Sequence, residues 1–107
     1  MTEAQKGVAM KVLAHAHAKN PNCSIDPATI LIVINIIMNS IRLLSGCFKE
    51  EDIPKRIKKP GRIQRYLLYR EVKSNFEPEE RKAVYQGLLE ACSNLSDHEV
   101  QELMSSV

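Results

Sequence analysis

Apolar residues return every three or four positions along most of this chain and almost nowhere at every second position, which is the pattern of helices. Thr2 and Gln5 have the spacing of a capping box, and Ala4, Val8, Val12, Leu13 and Ala16 follow at helical intervals until Asn20-Pro21 ends the segment. Asp26 as N-cap, with Pro27 at the first helical position, opens a second helix that runs to about Leu44. Gly46 then stands where a left-handed C-terminal cap is expected. A short helical piece is predicted over Glu50 to Lys59, with Pro54 in its first turn, and Pro60-Gly61 breaks it. A further helix covers Arg62 to about Ser74. Another starts at Phe76-Glu77-Pro78 and marks its buried face with Val84, Leu88, Ala91, Cys92 and Leu95. The last starts at Ser96, whose partner in a capping box is Glu99, with Leu95 and Val100 at the two staple positions.

The second helix is apolar almost all round. Ile30 to Ile37 is rich in β-branched residues and resembles a strand in isolation, but its continuation through Asn39, Ile41 and Leu44 is too long for one. Only Asn35, Asn39 and Arg42 form a polar stripe. Such a helix is usually surrounded by its neighbours. The sharper alternative is that one face (Ile34, Asn35, Met38, Asn39 and Arg42) is left for a second copy of the chain, with an asparagine setting register. The 17 positions from Ala28 to Leu44 are at the short limit of a membrane span of about 20 residues and include polar groups. No membrane partner is therefore expected.

Charge changes the picture more than composition does. The 107 residues carry 15 basic and 13 acidic groups, but these are sorted. Residues 1–46 are net +2, residues 47–75 net +5 and residues 76–107 net −5. Lys55, Arg56, Lys58, Lys59, Arg62 and Arg65 form a run with no carboxylate among them. At helical spacing, Arg62, Tyr66, Tyr69 and Lys73 share an arc with Arg65 beside it. Cations that displace counterions, interleaved with tyrosines that can stack, suit a nucleic acid or another polyanion. The competing reading is a solvated face, or one neutralised by the acidic third within the molecule or between copies. The Ile53/Ile57 spacing before Ile63 and Leu67 is similar to a helix-turn-helix, but Pro54 and the Lys59-Pro60-Gly61 turn depart from that motif.

Nothing in the chain assembles into a catalytic, cofactor or metal site. Cys23, Cys47 and Cys92 are far apart and odd in number, which fits reduced thiols rather than a disulfide scaffold. His15 and His17 are two apart and diverge on a helix. Acidic neighbours such as Glu79 and Glu80 suit a helix N-terminus, and the four glycines are scattered. No apolar leader opens the chain, so a reducing cytoplasm is expected. The sequence therefore predicts a single all-α domain, 1–107, of four to five helices around a central helix at about 27–45. We read it as a non-enzymatic assembly protein that forms a homo-oligomer through the apolar helix or through its complementary basic and acidic surfaces. The alternative is a nucleic-acid-binding protein using the basic segment 55–73. No small-molecule substrate or cofactor is implied.

Overall fold

Three of the helix starts form as local hydrogen-bonding chemistry dictates. Thr2 Oγ1 accepts from the Gln5 N–H at 3.1 Å while Gln5 Oε1 accepts from the Thr2 N–H at 2.9 Å. Ser96 and Glu99 make the same reciprocal pair at 3.1 and 3.0 Å. Asp26 Oδ1 accepts from the Thr29 N–H at 2.8 Å, one residue before Pro27. Each pair satisfies amide donors that a helix start otherwise leaves open. The resulting computed structural model, covering Met1–Val107, is all-α. Its order is α1 (Glu3–Lys19), α2 (Pro27–Cys47), a 3₁₀ turn (Glu50–Asp52), α3 (Ile53–Lys58), α4 (Arg62–Asn75), α5 (Pro78–Ser93) and α6 (Asp97–Ser105).

Two details differ from the sequence reading. The α-helices number six rather than four or five, because the short piece predicted over Glu50 to Lys59 forms a helix of its own, α3, with Pro54 in its first turn and a 3₁₀ turn at Glu50–Asp52 before it. Gly46 is not a left-handed cap. No residue has positive φ; α2 continues through Gly46 to Cys47, and the extended Phe48 closes it by donating its N–H to the Leu44 carbonyl.

The tightest pairing in the bundle joins α1 to α5. Gly87 makes it possible, since a Cβ there would lie 2.6 Å from the Val12 carbonyl oxygen. Buried Ala9 and Ala16 on α1, and Ala83 and Ala91 on α5, keep both helices slim. α2 lies against α1, α3 and α4 and buries Val33, Ile34, Ile36, Ile37, Met38, Ile41 and Leu44. Its length and composition would suffice to cross a membrane, but 44% of its most apolar window is inside the fold. The side it leaves to solvent carries Asn35, Asn39 and Arg42, flanked by Leu31 and Leu43. The core is 25 apolar side chains with no buried polar one. α6 closes one end through fully buried Val100 and Leu103, and two ion pairs tie it down: Lys11–Glu99 at 3.2 Å and Lys58–Asp97 at 2.8 Å.

Candidate nucleic-acid interface

α4 begins where Pro60 and Gly61 interrupt the basic run. Gln64 Oε1 accepts from the Gly61 N–H at 3.0 Å and also fixes the side chain over the break. Leu68 and Val72 turn into the core and orient the whole helix. At 100° per residue this puts Arg62, Ile63, Tyr66, Arg70 and Lys73 on its outer side, and all five are exposed. Tyr66 is 63% and Ile63 75% accessible. No carboxylate shares this face, and none of its three cations forms an ion pair. Arg70 belongs here although the sequence reading passed over it; the same angular count would have found it.

The remaining members of the basic run divide. Arg56 lays its guanidinium over the Phe48 ring, 4.3 Å from the centroid, at the end of α2; cation–π attraction holds it there. Lys55 is exposed and unpaired on α3. Tyr69 packs edge-on against Tyr85 of α5, with ring centroids 5.2 Å apart, and remains partly accessible.

Lys58, Lys59 and Arg65 turn the other way and meet residues far from them along the chain. Together with His15 and Lys19 of α1 they line an open groove of about 520 Å³ between α1, α3, α4 and α5. Gln86 and Ser93 add polar groups to its wall, and Glu90 is its one acidic lining residue. Asn94 Nδ2 donates to Glu90 Oε1 at 3.2 Å. Lys58 is shared with Asp97, whose carboxyl is held below its ordinary range by hydrogen bonding and attraction to that lysine.

The face assigned to self-association is only partly available. Ile34 and Met38 are core residues, 7% and 2% exposed, and must be taken out of that set. A helix apolar on nearly every side does not reveal from sequence which side its neighbours cover. Asn35, Asn39 and Arg42 are exposed, with Arg42 donating to Asn39 Oδ1 at 2.9 Å. Beside them α2 and α4 enclose a depression of about 450 Å³, its apolar part formed by Ile36, Leu43, Leu67 and Leu68.

The thiols and imidazoles stay apart. Burial pushes the Cys92 thiol up to about 11 and, together with the nearby Glu80 charge, raises that of Cys23. His17 Nδ1 lies 3.0 Å from the Cys23 carbonyl oxygen, and His98 pairs with Glu102 one turn on. No three His, Cys, Asp or Glu side chains come together. Compared with protein-family models, curated proteins and solved structures, the chain matches none.

Proposed function

We propose that this is a non-enzymatic nucleic-acid-binding protein whose interface is the basic surface of α3 and α4. The observation that carries the reading is the outer face of α4, where Arg62, Arg70 and Lys73 surround an exposed Tyr66 with no carboxylate among them. Neutralisation by the acidic third within the molecule is one of the competing explanations for the basic run, beside a solvated face and pairing between copies. It accounts for Lys58 alone, since Lys55, Arg56, Lys59, Arg62, Arg65 and Lys73 have no acidic partner. Unpaired cations on a helix displace the counterions condensed on nucleic-acid phosphates, and this is the main sequence-independent source of affinity for nucleic acid. Reduced thiols fit a cytoplasmic setting for this activity.

Self-association through α2 is the second reading. What favours it is the depression between α2 and α4 with exposed Leu43 at its edge. Sedimentation velocity at low and high salt, with and without a short oligonucleotide, separates the two. A monomer that forms a salt-sensitive complex supports the binding function, and replacing Arg62 and Arg65 by Glu should abolish that complex. A defined oligomer indifferent to nucleic acid would replace it with an assembly role.

A further inference from the structure

From the groove beside α4 we infer that the ligand is single-stranded nucleic acid. Its backbone lies in the groove and its bases reach the tyrosines of α4. This rests on the nucleic-acid reading above and narrows it. The groove is open and gathers Lys19, Lys58, Lys59 and Arg65 from three helices and the residue that follows one of them, with His15 as a further polar group and Glu90 as its one carboxylate. Apart from Pro60, Leu89 is the one apolar side chain in its lining. It therefore offers charge and hydrogen bonds to phosphates and sugars rather than an apolar slot for a hydrophobic partner.

The groove also leads somewhere. On α4, Arg62, Arg65, Tyr66 and Tyr69 stand at positions i, i+3, i+4 and i+7, so they form one cluster on adjacent turns. Two cations and two aromatic rings thus adjoin one another between the groove and the outer face. Tyr69 is held edge-on by Tyr85, which orients its ring, and Tyr66 is free on the surface. A basic channel that tracks a backbone, with aromatic rings set for stacking, is the arrangement that binds unpaired strands, since a duplex keeps its base faces stacked on one another.

Fluorescence anisotropy with labelled oligo-dT, oligo-U and a short DNA duplex tests this on the full chain. Both single strands should bind more tightly than the duplex. Lys19→Gln, outside the basic run and exposed on α1, should lower the slope of log affinity against log salt by about 0.7, the value for one phosphate contact on a single strand. Tyr66→Ala should weaken single-strand binding by about fivefold or more, the lower end of what one stacked base contributes. Unchanged circular dichroism would show that both variants keep the fold. Duplex binding as tight as single-strand binding, or a salt slope untouched by Lys19→Gln, would overturn the inference and leave the nucleic-acid function standing. Failure of every oligonucleotide to bind at low salt would overturn the function itself.

Discussion

Gly87 of α5 faces the main-chain carbonyl of Val12 on α1 so closely that a Cβ would stand 2.6 Å from the oxygen. The obstructing atom is backbone and cannot swing aside. Gly87→Ala should therefore push the two helices apart and cost about 1–3 kcal/mol, the range for overpacking a tight core. Gly7 supplies the contrast, because it sits in α1 with nothing within 4 Å of a new Cβ. Gly7→Ala should stabilise by about 0.5–1 kcal/mol through helix propensity alone. Urea unfolding of the two variants should move the midpoint in opposite directions.

α6 is short and depends on its cap. Ser96→Ala removes the acceptor for the Glu99 N–H and should destabilise by about 1 kcal/mol. Amide exchange should quicken first in α6, where Val100 and Leu103 are its buried anchors. A loss spread evenly over all six helices would mean that α6 unfolds only with the whole molecule.

Asp97 occupies Lys58, one of the lysines of the groove. Asp97→Asn should free that lysine, tighten single-strand binding and steepen its salt dependence by up to about 0.7 in slope. Equal affinities for the variant and the parent at low salt would show that Lys58 makes no phosphate contact.

Acid should weaken the fold in a defined window. The Asp26 carboxyl is lowered to about 2 by hydrogen bonds from the Ser24 hydroxyl and then the Thr29 amide. Asp97 is lowered by Lys58, and Glu99 by the Ser96 amide and Lys11. Folded values below the ordinary ones mean that the unfolded chain takes up protons first as pH falls. The stabilisation is complete above the ordinary carboxylate range and declines below it; for Asp26 it is lost on passing through about 2. Carboxyl chemical shifts followed by NMR should show Asp26 titrating well below the ordinary aspartate range.

Thiol reactivity should single out one cysteine. Cys47 is exposed at the end of α2, whereas Cys23 is buried and Cys92 half-buried, and both of these have raised values. An aromatic disulfide reagent should modify one thiol rapidly in the native protein and the other two only in denaturant, since the thiolate is the reacting species.

What could be read from the sequence was what depends on neighbours in the chain. The Thr2/Gln5 and Ser96/Glu99 boxes, the Asp26-Pro27 start and the polar stripe Asn35, Asn39 and Arg42 all follow from spacings within a few residues. Gly46 misled because a glycine near a helix end is also compatible with continued helix, and Phe48 made the stop instead. Ile34 and Met38 misled because periodicity in an all-round apolar helix cannot show which flank is covered. The groove was invisible for a different reason. It joins Lys19 of α1 to Arg65 of α4, and only the packing of α1 on α5 brings the first helix round to the basic segment.

That same pairing sets an order for synthesis. α1 finds its principal partner only when Pro78–Ser93 has emerged, so its buried face, with Val8 and Val12, waits partly uncovered until that helix is made. α5 thus decides when that face is covered, and a ribosome stalled before residue 78 should hold a chaperone-dependent intermediate rather than a partial bundle.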